Sequence, residues 1–260
     1  MSRAFGVTAG IDPEIASPLA ARCQELGYTS MWSNDHPGAK GLETLAAYAR
    51  GADRIDLGVA VIALDRYSPD QIAADIDRFG LDRDRLWIGL GAGFTERPLT
   101  TMREALPGVR GALPGVRLVL AAMGPKMAAF GGAEWDGVFT NWMTPEYASG
   151  AREWVDQGAR EADRETPPVF GYVRTAVGTD AEERLAKDES FYRDMHQGYR
   201  THFDSQGAPE GTVGVAAENA GDLQEQLSRY RALDTVVVRA LASATLEDMG
   251  ALAEGAAPGV

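Results

Sequence analysis

The sequence predicts an α/β protein in which eight parallel strands close into a (β/α)8 TIM barrel. Short β-branched or apolar runs alternate with longer amphipathic runs along the chain, the pattern of parallel β/α units. Eight such units within 260 residues match the size of a barrel. The run at residues 55–64 is apolar almost throughout, as expected for a strand covered on both faces. A doubly wound open sheet is the alternative fold.

Each predicted strand is a short apolar run that ends at a turn signal. The predicted strands cover residues 3–10, 29–33, 55–64, 86–91, 117–122, 138–141, 169–177 and 236–239. Gly89, Gly91 and Gly93 follow the fourth strand, but the third glycine of a dinucleotide-binding fingerprint is missing and the position is wrong. The glycine pattern therefore favours the barrel.

The predicted helices begin at a proline or a capping residue. Pro13 opens the first helix, Gly27 ends it, and Ser68 caps the third. The predicted helices cover residues 13–26, 42–50, 71–79, 99–105, 125–132, 144–161, 181–203, 223–233 and 246–252. Residues 105–117 contain Ala-Leu-Pro-Gly-Val-Arg twice, and we interpret them as a connection because Pro-Gly pairs favour turns.

Composition narrows the classes of function. A chain that is 45% hydrophobic and 24% charged is expected to be globular, and we predict one domain over residues 1–260. The net charge of -13 argues against nucleic acid and anionic membranes as partners. The single cysteine, Cys23, excludes an internal disulfide and is expected to be buried and inert. Without a leader-like or membrane-spanning apolar run, we expect a cytoplasmic protein.

Asp35 and His36 come directly after the second predicted strand and before Pro37. A strand holds the residues at its end in fixed positions, so this acid and imidazole are candidates for chemistry; a simple polar turn is the alternative. His196 and His202 lie on a charged predicted helix, where solvated or capping roles are expected. The three histidines form no metal-binding motif and no serine nucleophile elbow is present, so we predict neither a metal site nor acyl transfer.

Gly124 lies at a turn from strand to helix, with Pro125 at the first helical position. The free amides and the positive helix end there suit a phosphate group, although an ordinary tight turn has the same sequence. Lys126 is unfavourable at a helix N-terminus unless an anion is bound. Gly91 and Gly93 let a flat ring approach the backbone closely.

Four motifs in this order resemble the bacterial luciferase-like superfamily, and most closely its coenzyme F420-dependent oxidoreductases. The motifs are Asp35-His36, Leu57-Gly58-Val59-Ala60-Val61, Gly89-Leu90-Gly91-Ala92-Gly93 and Ala121-Ala122-Met123-Gly124-Pro125-Lys126-Met127. The resemblance implies a bulge with a cis peptide at Ala60-Val61 behind a deazaflavin ring, where a plain buried strand is the alternative. The implied cofactor-binding residues are Ala60, Val61, Ile62, Gly91, Ala92, Gly93, Ala122, Met123, Gly124, Pro125, Lys126, Met127 and Asn141.

The resemblance implies hydride transfer between F420 and a small organic substrate in a homodimeric enzyme. His36 would donate a proton or hydrogen bond, and Asp35 would orient His36 or the ring. An FMN-dependent monooxygenase and a cofactor-binding protein with little catalysis are the alternatives.

The chain departs from the family pattern in three places. Phe94 stands where many F420 enzymes have a carboxylate, with Glu96 two residues later, and residues 38–40 lack an expected aromatic side chain. The connection between helix 4 and strand 5 is also shortened for this family, which implies a more open pocket. These departures affect the predicted proton donors and the substrate class more than the cofactor site.

Overall fold

The computed structural model describes residues 1–259 and shows a closed barrel of parallel strands surrounded by helices. The strands are β1 (Ser2–Val7), β2 (Ser30–Ser33), β3 (Asp56–Ala63), β4 (Leu86–Gly91), β5 (Arg117–Ala121), β6 (Gly137–Asn141), β7 (Val169–Val177), β8 (Val215–Ala217) and β9 (Thr235–Ala240). Neighbouring strands pair in the order β1 to β7, β7 pairs with β9, and β9 pairs with β1. The predicted (β/α)8 barrel is confirmed, because an open sheet would leave two edges unpaired.

Helices follow the strands around the outside of the barrel. They are α1 (Pro13–Glu25), α2 (Gly41–Gly51), α3 (Pro69–Arg78), α4 (Pro98–Ala112), α5 (Pro125–Glu134), α6 (Pro145–Glu161), α7 (Ala181–Met195), α8 (Gln197–Asp204), α9 (Ala220–Ser228) and α10 (Leu246–Gly255), with a short 3-10 turn at Arg83–Arg85. No helix within residues 1–259 has the length and apolar character needed to cross a membrane. Cys23 is buried on α1, and burial raises the pKa of its thiol, as expected for an inert side chain.

All eight predicted strands are present, together with a ninth, β8, that was not predicted. This three-residue strand pairs with β7 at Thr175 to Val177, beyond the point where β6 stops pairing. Three residues are too few to show the alternation that identifies a strand. Because β8 pairs with the carboxyl end of β7, it extends the barrel wall at the mouth.

The interpretation of residues 105–117 as a connection was wrong. Helix α4 continues through Pro107 to Ala112, and the turn occupies residues 113–116. A proline removes one helical hydrogen bond. Buried Met102, Leu106 and Val109 lie on one face of the helix and pack into the core, which keeps the segment helical.

The connection between α4 and β5 is short, as predicted, but it does not open the pocket. Residues 113–116 precede the amino end of β5, whereas the mouth of a parallel barrel lies at the carboxyl ends of its strands. The length of this turn therefore has no bearing on access to the mouth, and that expectation was wrong.

The predicted helix over residues 181–203 is two helices, α7 and α8, separated at His196. The backbone of His196 is extended, with φ -160° and ψ 140°. Its Nδ1 accepts a hydrogen bond of 3.0 Å from the Gly198 amide, so His196 caps α8. The expected capping role of His196 is confirmed.

Aromatic side chains fill the interior of the barrel. The Trp32 ring lies 4.7 Å from that of Phe139 and 5.1 Å from that of Phe170. Gly58 makes room for Trp32, because an added Cβ at Gly58 would lie 2.3 Å from the indole. The packed interior leaves the mouth as the place where the barrel can bind a ligand.

Two glycines fix the contact between α5 and α6. A Cβ at Gly158 would lie 1.9 Å from the carbonyl oxygen of Ala129, and a Cβ at Gly132 would lie 2.0 Å from that of Val155. Both obstacles are backbone atoms, so a side chain at either position would push the helices apart. The position of α5, whose first turn contains the Gly124 motif, depends on this close contact.

We predict that Gly158→Ala destabilises the protein by about 1 to 3 kcal/mol, as overpacking of a tight contact does. Gly150→Ala lies on the same helix, α6, with the nearest atom to its new Cβ 3.7 Å away, and should be neutral or stabilising by about 0.5 to 1 kcal/mol. Denaturant unfolding of both variants measures the difference. Equal stabilities would contradict the close helix contact.

Candidate functional site

The predicted site residues all lie at the carboxyl ends of neighbouring strands. Asp35 follows β2, Ala60 lies in β3, Gly91 ends β4, Ala122 follows β5 and Asn141 ends β6. Because these strands are parallel and adjacent, the five residues share one mouth of the barrel. The mouth is therefore the candidate active site.

Strand β3 carries the predicted bulge. The peptide between Ala60 and Val61 is cis, and the pairing of β3 with β4 shifts register between Val59 and Ile62. Gly89 on β4 accommodates the bulge, because a Cβ there would lie 2.7 Å from the Val59 carbonyl oxygen. The predicted cis bond and bulge are confirmed.

Small residues form a floor beside this bulge. Gly91 is buried, and a Cβ there would lie at ordinary contact distance from small neighbours, 3.4 Å from Val61 Cγ2 and 3.6 Å from Ala121 Cβ. The side chains of Ala92 and Ala122 are buried in the core between the strands and the helices, so it is their backbone that borders the mouth. A flat ring can approach the backbone here because larger side chains are missing from these positions.

Gly93 has a structural role in the next loop. Its φ is 73°, in the left-handed region that favours glycine, and a Cβ would lie 2.0 Å from the Asp65 carboxyl carbon. Asp65 accepts a 3.1 Å hydrogen bond from the Phe94 amide. Gly93 therefore lets Asp65 close against the loop between β4 and α4.

The turn at Gly124 is open above the first residues of α5. Gly124 is the N-cap, in an extended conformation with φ -140°, and apart from its two chain neighbours a Cβ there would meet no atom of residues 1–259 within 4 Å. Pro125 has no N–H, so the amides of Lys126 and Met127 are among the free donors of the first turn. This open cradle of amides fits the phosphate of a deazaflavin or flavin cofactor.

Asp35 anchors the loops around the mouth. Its side chain is 3% exposed, Oδ1 lies 2.8 Å from Arg66 Nη2, and Oδ2 accepts a 3.0 Å hydrogen bond from the Gly41 amide. Burial raises the pKa of Asp35, while Gly41 and Arg66 oppose that rise. Asp35 thus ties the start of α2 to the loop after β3, and the sequence analysis missed Arg66 as its partner.

His36 is held by backbone groups. Its Nδ1 accepts a 3.1 Å hydrogen bond from the Gly38 amide, and Nε2 lies 3.4 Å from the Ala9 carbonyl oxygen. With Nδ1 accepting, the proton of a neutral ring is on Nε2. Because the contact to Ala9 is long, this N–H is only weakly engaged within the protein. Among residues 1–259 the ring is oriented by Gly38 and Ala9, whereas Asp35 had been expected to orient it.

Asn141 and His202 belong to one buried network. Asn141 Oδ1 accepts from Arg174, while His202 Nε2 donates a 2.7 Å hydrogen bond to the Trp142 carbonyl oxygen. His202 is buried, and desolvation lowers its pKa against the opposing effect of its backbone hydrogen bonds. The expected solvated or capping role of His202 was wrong, because its ring is buried against the end of β6, with Nε2 3.2 Å from the Asn141 carbonyl oxygen.

Phe94 lies on the loop between β4 and α4 and is 63% exposed. Its ring centroid is 4.6 Å from that of His196, at the break between α7 and α8. Glu96, on the same loop, is exposed to solvent. An aromatic contact thus joins the loop between β4 and α4 to the break between α7 and α8. Phe94 makes this contact from the position where many F420 enzymes have a carboxylate.

A family model described as luciferase-like monooxygenase matches residues 94–250, more than half of the chain. The chain belongs to this family. A search of curated proteins finds no match.

Solved structures with this fold include enzymes that use different cofactors. An F420-dependent secondary alcohol dehydrogenase has a TM-score of 0.75 and 16% identity, with 97% of each chain covered. The F420-dependent tetrahydromethanopterin reductase of Methanopyrus kandleri has a TM-score of 0.76 and 16% identity, covering 100% of this chain and 98% of the reductase. The oxygenating constituent of 3,6-diketocamphane monooxygenase from Pseudomonas putida, in complex with FMN, has a TM-score of 0.67 and 11% identity. This match covers 100% of this chain and 99% of the monooxygenase. The fold and the family together support a luciferase-like oxidoreductase.

A groove on the outside of this luciferase-like barrel is lined in part by Lys126, one of the predicted cofactor-binding residues. The groove has a volume of about 500 Å³ and lies between α4, α5 and α6, where Lys126 lines it together with Arg103, Phe130 and Glu161. It opens on the outer helical layer and contains neither the β3 bulge nor Gly124. It is therefore separate from the mouth.

Two arginines of the mouth, Arg174 on β7 and Arg239 on β9, were not predicted from the sequence. Both are buried, and they are paired in register on adjacent strands. A signal was present in the sequence, because each arginine follows an apolar strand run near its carboxyl end, where barrel enzymes place functional side chains.

We predict that the low pKa of His202 makes stability depend on pH. Below about pH 6.5 the unfolded chain binds a proton that the folded protein resists, so the free energy of unfolding falls as the pH falls. One such group contributes at most about 1.4 kcal/mol per pH unit. His202→Gln keeps a donor for Trp142 and should flatten this part of the profile. Parallel profiles between pH 8 and 5, measured by urea unfolding, would contradict the prediction.

Proposed function

We propose that the protein is an F420-dependent oxidoreductase that transfers hydride between the deazaflavin and a small organic substrate. The observation that supports this best is the bulge of β3 between Val59 and Ile62, which lies at the same mouth as the open amides after Gly124. One end of the mouth suits a flat ring and the other suits a phosphate. We also propose that residues 1–260 form a single domain and that the enzyme is a homodimer, as the family resemblance implies.

The chain's own residues would hold the cofactor in three places. The backbone at Ala60 to Ile62 would contact the ring from behind, the floor at Gly91 and Ala92 would lie beside it, and the turn at Gly124 would bind the phosphate. When bound, the cofactor supplies the hydride acceptor or donor. The protein supplies orientation and a proton.

His36 is the proposed proton donor. Its Nε2–H is held by a single long contact to Ala9, so a substrate atom can compete for it. Asp35 acts through the loops that it ties together, and we propose it as a positioning residue. Lys126 would bind the phosphate through its backbone amide, since its side chain lines the outer groove between α4, α5 and α6.

An FMN-dependent monooxygenase is the second candidate. It is favoured by the monooxygenase family model and by the FMN complex with the same fold. Titration with F420 and with FMN, followed by absorbance, separates the two, and oxygen uptake should accompany turnover in the second case alone. A cofactor-binding protein with little catalysis would bind a cofactor without reducing any substrate in a panel.

We predict that Gly124→Val abolishes cofactor binding without unfolding the barrel. The backbone at Gly124 is extended and its Cβ position is free, so valine fits the protein but fills the space above the amides. Gly124→Ala is the matched control and should weaken binding less. Fluorescence titration and thermal melting measure both effects. Unaltered cofactor affinity in the valine protein would place the phosphate elsewhere.

We predict that His36→Ala lowers the single-turnover rate of reduction by about 10² to 10⁴, the usual contribution of a general acid. Cofactor affinity should change little, because His36 is not part of the phosphate turn. His36→Gln, which keeps a hydrogen-bond donor, should retain part of the rate. An unaltered single-turnover rate in the alanine protein would defeat the catalytic assignment.

A further inference from the structure

Two arginine side chains face the interior of the barrel at its mouth. Arg174 and Arg239 are register partners on β7 and β9, each two residues beyond a side chain of the inner cluster, Tyr172 and Val237. Side chains two apart on a strand share a face, so both arginines lie above the packed aromatic layer. Arg174 is 4% exposed and Arg239 is 9% exposed.

Arg174 has partners for its charge. Its Nε lies 3.2 Å from Asp188 Oδ2, and Nη1 donates to Asn141 Oδ1. The guanidinium also stacks over Trp142, with 4.3 Å from Cζ to the ring centroid. Asp188 therefore balances the charge of Arg174.

Arg239 has no such partner among residues 1–259. Its one hydrogen bond there is a 3.5 Å contact from Nη1 to the Ala240 carbonyl oxygen, and no carboxylate lies within ion-pair distance. Burial, followed by the charge of Arg174, lowers the pKa of Arg239. A buried charge without a counter-charge is costly. A bound anion could supply the counter-charge that Arg239 lacks.

A second buried polar group lies close to Arg239. Tyr172 is 5% exposed, and its hydroxyl has no hydrogen-bond partner among residues 1–259. Its ring centroid lies 5.9 Å from Arg239 Cζ and 5.6 Å from Arg174 Cζ. The mouth thus offers a guanidinium with a single long acceptor contact and a phenol with none.

We propose that Arg239, with Tyr172 beside it, is a binding subsite for the carboxylate of a small monoanionic substrate. The net charge of the cluster is +1, because Asp188 offsets Arg174, so a single negative charge neutralises it. A guanidinium matches the two oxygens of a carboxylate, and the phenol can donate a further hydrogen bond.

The position of this subsite suits a substrate that reaches across the mouth. In the closed barrel, β7 and β9 lie opposite β3 and β4, which carry the bulge and the small-residue floor. A carboxylate held by Arg239 would direct the rest of the molecule toward the proposed ring. The assignment of this carboxylate to the substrate rests on the proposed function, whereas anion binding by Arg239 can be tested without a cofactor.

The test uses cofactor-free protein with propionate as the probe, followed by saturation-transfer NMR. Propionate should bind, and propionamide, its neutral counterpart, should not. Arg239→Met should weaken propionate binding about 10- to 100-fold, the usual effect of losing a hydrogen bond to a charged group. Arg117→Met removes an arginine from the amino end of β5, the opposite end of the barrel, and should leave propionate binding unchanged. Equal propionate affinity in the Arg239→Met protein would overturn the subsite.

The melting temperature of Arg239→Met is a second test. A binding role and a structural role for Arg239 predict opposite changes in it. Without ligand, Arg239→Met removes an unbalanced buried charge and should melt about 2 to 4 °C higher. A lower melting temperature would make Arg239 a structural residue and overturn the proposal.

Cofactor titrations of the same variants separate this proposal from the proposed function. Arg239→Met should bind the cofactor as the parent does; loss of cofactor binding would place Arg239 in the cofactor site and overturn the substrate assignment. Inorganic phosphate that competes with propionate and binds more tightly would also overturn it. If neither F420 nor FMN binds the parent while propionate binding still requires Arg239, the proposed function fails and the anion subsite stands.

Discussion

The closure of the parallel barrel is the constraint on which the rest of the structure depends. Hydrogen bonding between β1 and β9 and between β6 and β7 removes the sheet edges and brings all carboxyl strand ends to one mouth. The aromatic layer around Trp32 fills the interior below that mouth. Side chains that are far apart in the sequence therefore meet in a single open place.

Local features of the chain then divide the mouth into parts with different chemistry. The β3 bulge and the glycine of β4 give a flat wall without large side chains, and the Gly124 turn gives open amides. The opposite wall is cationic, with Arg174 and Arg239 buried side by side. An acidic protein can thus present a positive, anion-binding surface within its fold, because the charges that matter are local ones.

The fold was predictable because alternating apolar runs, proline at helix starts and glycine at helix ends all indicated the same architecture. The Asp35, Gly91 and Gly124 turns were also placed correctly at one mouth, since each directly follows a recognisable strand. Contacts between distant segments were not predictable: the Asp35–Arg66 ion pair joins two loops, and the burial of His202 depends on its contact with the end of β6. The break at His196 was missed because its extended backbone leaves no mark in the charge pattern of residues 181–203.

The binding mode would be decided by a crystal structure of the protein with F420 and a second with FMN. We expect a tricyclic ring against the β3 bulge at Ala60 to Ile62 and a phosphate on the amides of Lys126 and Met127. A ring bound outside the mouth, for example in the groove between α4 and α6, would contradict this expectation.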